Sequence, residues 1–180
     1  MRLLVVGEPR SGKTSWCREY VDRQRKCGFS VGGVLSSPID KQGQRIGFDV
    51  IDLLTGKGAL LARLSRLKRF KAGEAVGDYT ISRRGISFAR RAIERAVESR
   101  CDWVVIDEVG PLELRGKGLM PAVELAVASP VNVLIVVRAS LKEALQRHFL
   151  RYEFVAIADL TQSPSNVSEL EDCRSRELTG

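Results

Sequence analysis

The chain has 180 residues, 44% hydrophobic and 28% charged, which fits one globular domain with a sizeable core and leaves no apolar run of membrane-spanning length. Its formal charge of +7 invites a nucleic-acid partner. The cations concentrate in Arg63 to Lys71 and at Arg83, Arg84, Arg90, Arg91 and Arg95, with few aromatics between them, so a solvated helix face and an anion-collecting rim are favoured over a nucleic-acid groove.

The first element is an apolar, β-branched run, Leu3 to Val6, as expected of a parallel strand buried on both faces. It leads straight into Gly7-Glu8-Pro9-Arg10-Ser11-Gly12-Lys13-Thr14, the phosphate-binding-loop pattern. Ser15 to Lys26 then reads as a helix, with Trp16, Tyr20, Val21 and Gln24 on one face and Gly28 as its stop. Each part of the loop has a physical job. Gly7 and Gly12 permit torsions and close approaches that a Cβ would block. The loop turns its N–H groups onto an anion at a helix N-terminus whose dipole favours negative charge. Lys13 places a point charge on the β- and γ-phosphates, and the Thr14 hydroxyl suits Mg²⁺. Residues 7–14 are therefore candidates to bind a nucleoside triphosphate.

Phe29 to Leu35 predicts a second strand. Beyond it, Arg45 to Leu53 alternates, with Ile46, Phe48 and Val50 on one side, and the turn Thr55 to Gly58 leads to Ala59 to Leu64. Residues 34–64 thus read as a small antiparallel insertion. Ser65 to Tyr79 shows no period and reads as a basic surface loop. A helix is expected from Ser82 or Ser87 to Arg100, its apolar face lined by Ile86, Ala89, Ile93, Ala96 and Val97. Strand, helix and strand then repeat at 103–106, 119–128 and 131–137, followed by a helix at 141–149 and a short strand at 154–157. From Thr161 the chain is a polar tail with a possible helix cap at Asn166. The whole predicts one α/β domain, 1–180, built on a mainly parallel sheet flanked by helices, with its site beyond the carboxyl ends of the strands. Cys17, Cys27, Cys101 and Cys173 are far apart, and there is one His. That pattern argues against structural zinc and suggests reduced thiols, and with no cleavage signal ahead of the first strand it suggests a cytoplasmic location.

The second informative segment is Trp103-Val-Val-Ile-Asp107-Glu108-Val-Gly110-Pro-Leu-Glu113. Four apolar residues ending in an acid fit a buried strand that presents Asp107 at its carboxyl end. Opposite a phosphate loop, such an acid holds Mg²⁺, commonly through water. Glu108 is then placed to orient or deprotonate an attacking water. Gly110, just beyond, completes the nucleotide-binding set.

Taken together, these motifs resemble the THEP1 family of nucleoside-triphosphatases, also called cancer-related nucleoside-triphosphatases. The resemblance rests on Gly7 to Thr14, Gly32-Gly33, Gly43-Gln-Arg45-Ile-Gly-Phe48-Asp-Val-Ile, Val76-Gly-Asp-Tyr79 and, most specifically, Ile106-Asp-Glu-Val-Gly-Pro-Leu-Glu-Leu114. It implies slow, Mg²⁺-dependent hydrolysis of nucleoside triphosphates with broad base tolerance, on a RecA-like core. It also implies phosphate binding by the loop and Lys13, Mg²⁺ binding by Thr14 and Asp107, and a catalytic acid at Glu108. Glu113 reads as an anchor of its turn, and Arg45 as a partner of Asp49 or Asp52. Ser36-Ser37-Pro38 stands where the family often has Glu-Val-Arg, and beyond Arg138 the match fades, so base contacts stay unassigned.

Arg138 ends the strand 131–137 and projects to the edge that carries Lys13 and Glu108, where an arginine can stabilise charge on a transferring γ-phosphoryl group. A surface arginine capping a strand end is the plain alternative. His148 reads as a surface or half-buried residue without a catalytic role. Two rival functions share these motifs: a P-loop kinase with an acceptor pocket, its lid the basic loop Arg63 to Lys71, and a nucleotide-dependent, RNA-associated switch. The adjacent Asp107-Glu108 pair favours hydrolysis. No Asn-Lys-x-Asp guanine-reading segment follows a strand, which disfavours a regulatory GTPase.

Overall fold

A computed structural model describes residues 1–67, 70 and 73–161. The polar tail with its cap at Asn166, and Lys68, Arg69 and Lys71 of the basic stretch, lie outside the described residues.

Among the described residues, nine strands form one mixed sheet in the order β5-β6-β4-β3-β2-β7-β8-β1-β9. The parallel part holds β1 (Arg2–Gly7), β7 (Trp103–Val109), β8 (Asn132–Arg138), β9 (Val155–Leu160) and the first half of β2 (Val31–Lys41). Period-two alternation divides each central strand between two cores. Leu4, Val6, Val104, Ile106, Val133 and Ile135 face the helices α2 (Arg83–Glu98) and α3 (Met120–Ala128), whereas Leu3, Val5, Val105, Leu134 and Val136 face α1 (Lys13–Lys26). These strands are apolar at nearly every position because both faces are covered. A fourth helix, α4 (Lys142–His148), packs Leu145 into the α2 and α3 side.

α1 buries Cys17, Tyr20 and Val21, one turn of a single face, and Tyr20 meets Trp103 edge-on at 5.4 Å between ring centroids. Cys17 stands on that face where the periodicity suggested Gln24. Gly28, at φ 82°, takes the left-handed turn that ends the helix. α2 starts at Ser82, whose hydroxyl accepts from the Gly85 N–H at 3.2 Å. Its buried face is mostly alanine, which lets the helix lie close on the sheet: a Cβ on Gly85 would meet the Leu60 carbonyl oxygen at 2.4 Å.

The antiparallel part is larger than expected. β2 continues past Val34 to pair antiparallel with β3 (Gln44–Asp52), then β4 (Gly58–Leu64) follows, as the alternation predicted. However, β5 (Glu74–Val76) and β6 (Tyr79–Ile81) form a further hairpin on the edge of β4, in a stretch that reads as loop from sequence. Three-residue strands carry too little alternation to show a period. His148 lies 2.9 Å from the Glu124 carboxylate, on α4 and away from the loop.

Candidate active site

The phosphate loop emerges from β1 between β8 and β9 and closes onto α1. Gly12 sits at φ 90° as the N-cap of α1, and Arg10 at φ 67°, so both hold the left-handed conformation. At Gly7 the constraint is space instead: an added Cβ would meet Ser11 Oγ at 2.5 Å. Glu8, Pro9 and Arg10 form the exposed crest, and the Glu8 carbonyl accepts from the Ser11 N–H at 3.1 Å. Beneath the crest, Ser11 Oγ is buried and has no hydrogen-bond partner, alone among the described side chains. An orphaned donor at a helix N-terminus is what an anion site needs.

Lys13 is 5% exposed and folds back under the loop, its Nζ donating to the carbonyls of Gly7 (3.0 Å) and Glu8 (2.6 Å). Across from it, β7 delivers Asp107 and Glu108. Asp107 is 2% exposed, and its carboxyl is pushed up to about 6, first by burial, against the lowering effect of the Thr14 hydroxyl bonded to it, with the Glu108 charge adding to the rise. Ser36, at the end of the apolar run of β2, braces the same residue twice. Its N–H donates to Asp107 Oδ2 at 3.1 Å and its hydroxyl to the Asp107 carbonyl at 2.7 Å. The strand end that departs from the family pattern thus holds the acid in place. β2 and β7 run parallel with Val34 opposite Ile106, which brings Ser36 beside Asp107.

Thr14 and Asp107 form a hard-oxygen donor pair whose carboxylate has no ion pair among the described residues, and such a pair fits a Mg²⁺ ion. Glu108 points into the cleft between two cations. Arg138 Nε donates to its Oε1 at 2.8 Å, and Lys13 Nζ stands 3.9 Å from Oε2. Arg138 therefore reaches the site through the carboxylate, because β8 lies between β1 and β7 and ends level with both.

Glu113 and Arg45 have structural partners. Glu113 is buried and accepts from the N–H groups of Gly110 and Leu119, each at 3.0 Å, and burial raises its carboxyl. This is the anchoring role expected of it; Gly110 is thereby tied into the turn behind Glu108. Arg45 pairs with Asp40 at 2.5 Å, not with Asp49 or Asp52. Asp52 is fully buried and is met by Arg95 at 2.8 Å.

The cleft over these residues has a volume of about 570 Å³ and runs from Lys13, Asp107 and Glu108 to the inner face of the antiparallel strands. Pro38, Phe48, Val50, Tyr79 and Ile81 line that far wall. Sequence pairs Phe48 with Val50 on one face but gives no sign that Tyr79 joins them, since that depends on the unforeseen hairpin. Cys17 and Cys101 are free and buried, and burial raises both thiols. No helix among the described residues is long and apolar enough to cross a membrane.

Comparison with known proteins agrees with this geometry. A family profile described as NTPase matches residues 2–170. The nucleoside-triphosphatase THEP1 of Methanopyrus kandleri is 33% identical over 170 residues, covering 94% of this chain and 91% of its own. The THEP1 of Methanosarcina barkeri is 31% identical over 160 residues, covering 87% and 88%. Among solved structures, THEP1 from Aquifex aeolicus superposes with a TM-score of 0.72 at 24% identity, over 93% of this chain and 94% of that one. With a phosphate loop on β1, paired acids on β7 and relatives matched along nearly their full length, the chain belongs to the THEP1 family of nucleoside-triphosphatases, on a P-loop NTPase fold.

Proposed function

We propose that this nucleoside-triphosphatase releases the γ-phosphate of ATP, GTP, CTP and UTP alike, with Mg²⁺ as cofactor, and that Glu108 activates the water. The observation that carries the reading is the Glu108 carboxylate, held at the mouth of the phosphate loop between Arg138 and Lys13 and directly after Asp107.

The loop N–H groups and the Ser11 hydroxyl take the β-phosphate, and Lys13 exchanges the carbonyls of Gly7 and Glu8 for β- and γ-phosphate oxygens. Thr14 and Asp107 would hold a Mg²⁺ ion, which would supply positive charge against the phosphates. Once Lys13 turns to the phosphates, Glu108 keeps Arg138 as its partner. It takes a proton from the attacking water as the new P–O bond forms and the bond to the β-phosphate oxygen breaks. Arg138 orients Glu108 and offers its remaining N–H groups to the γ-phosphoryl oxygens. Every group assembled here addresses phosphate, which all four triphosphates share, and this supports tolerance of the base.

Phosphate release from the four triphosphates, with Mg²⁺ and with a chelator, tests the reading. Glu108→Gln should bind nucleotide as wild type does yet lose about a hundredfold or more in turnover. Unchanged turnover in that variant would remove Glu108 from the chemistry, and equal rates in chelator would remove the metal.

A further inference from the structure

Hydrolysis asks of Glu108 only that it reach a water. Its carboxylate instead opens onto a cleft of about 570 Å³ walled at the far end by Phe48 and Tyr79, well within the size that holds an organic ligand. Both rings are half-buried, with centroids 5.4 Å apart and planes tilted by 58°. Arg10, Arg45 and Tyr79 also line an adjoining hollow of about 820 Å³, so the two spaces meet around these side chains. Arg10 makes no hydrogen bond or ion pair among the described residues, and Arg45 lies with its guanidinium 5.3 Å from the Phe48 ring centroid.

This wall is on the wrong side to hold the base of the triphosphate. The inference rests here on the site reading above, in which the γ-phosphate points at Asp107 and Glu108 on β7. In the sheet β7 lies to one side of β8 and β1, followed by β2 and the antiparallel strands, while β9 lies to the other. A nucleotide with its γ end towards β7 sends its nucleoside away from β2. The aromatic wall is thus next to the transferring group and remote from the leaving nucleoside diphosphate.

We propose that the cleft binds a second substrate, a planar heteroaromatic alcohol of the nucleoside type, whose hydroxyl receives the γ-phosphoryl group in place of water. Its ring stacks on Phe48 and Tyr79, its polar edge meets Arg10 and Arg45, and its hydroxyl lies at Glu108. The hydroxyl oxygen forms the new P–O bond as the bond to the β-phosphate oxygen breaks. The electron pair leaves with the nucleoside diphosphate, Glu108 takes the hydroxyl proton, and the product is a phosphate monoester. Release of free phosphate is then the reaction with water in the unfilled cleft.

Incubation with Mg²⁺ and ATP labelled at the γ-phosphate, in the presence of millimolar adenosine, guanosine, cytidine or uridine, tests the proposal. Label should appear in a nucleoside monophosphate at the expense of inorganic phosphate. Phe48→Ala and Tyr79→Ala should cut transfer about tenfold or more by removing a stacking face, while phosphate release without added nucleoside stays near wild type. Phe48→Leu keeps the apolar volume, so a loss of transfer there reports stacking and not misfolding. If label enters only inorganic phosphate, at a rate none of the four nucleosides alters, the acceptor site is refuted and the hydrolase reading stands. Label in monophosphates with no free phosphate released in their absence would uphold the acceptor site and overturn the hydrolase reading.

Discussion

Glu113 shows how one buried carboxylate can hold a catalytic turn without taking part in the chemistry. Its two oxygens satisfy the N–H groups of Gly110 and Leu119, and Glu113→Ala would strand both inside the protein. At about 1–3 kcal/mol for each unsatisfied donor, the loss of stability in urea should be on the order of 3 kcal/mol. The same residue gives a pH signature. Burial raises its carboxyl above 4.5, so the folded chain keeps this proton to a higher pH than the unfolded chain does. Its contribution to stability is therefore greatest in acid and declines as pH rises from 4.5 through the raised value. Urea titrations across that window should show a flatter slope for Glu113→Gln than for wild type; an identical slope would contradict the assignment. At this scale the sequence was most legible where chemistry demands a residue type at a fixed spacing. Gly7, Gly12, Lys13, Thr14 and Asp107 stand out in the sequence by type and spacing, and the structure gathers them around one cleft and the strand that leads into it. Ser36 does not, since a serine that braces an acid 71 residues away looks like any serine after a strand.

Among elements, α2 couples the two parts of the sheet. It packs across β2, β3 and β4, and its cap residue Ser82 directly follows β6. Ser82→Ala removes the acceptor for the Gly85 N–H and should cost about 1 kcal/mol, visible as a lower urea midpoint with phosphate release at saturating nucleotide unchanged. The long elements were readable because each offers several periods: β1, β7 and β8 as apolar runs, α2 as a stripe at 3.6 spacing. The β5 and β6 hairpin was not, for its strands span three residues each, and their pairing is set by β4, not by their own sequence. Tyr79 and Ile81, its share of the far wall, were hidden with it.

For the whole molecule, nucleotide binding should appear as stability. A non-hydrolysable triphosphate with Mg²⁺ at a hundredfold over its Kd should raise the free energy of unfolding by about 2.7 kcal/mol. Lys13→Ala should abolish that rise, and a rise that survives would place the nucleotide elsewhere. The nine-stranded order itself was beyond reach from sequence, since adjacency between β2 and β7 or between β8 and β1 depends on contacts distant along the chain.

β2 is one continuous strand of 11 residues. Its first half is bonded to β7 beside Asp107 and Glu108, and its second half carries the insertion. The two walls of the cleft are therefore carried by one strand, and the gap between them follows the twist of the sheet. Such a site selects by gauge: a molecule of the right thickness slides in, and a thicker one is refused without the protein bending to meet it. X-ray scattering of the free and nucleotide-bound protein should accordingly give the same radius of gyration.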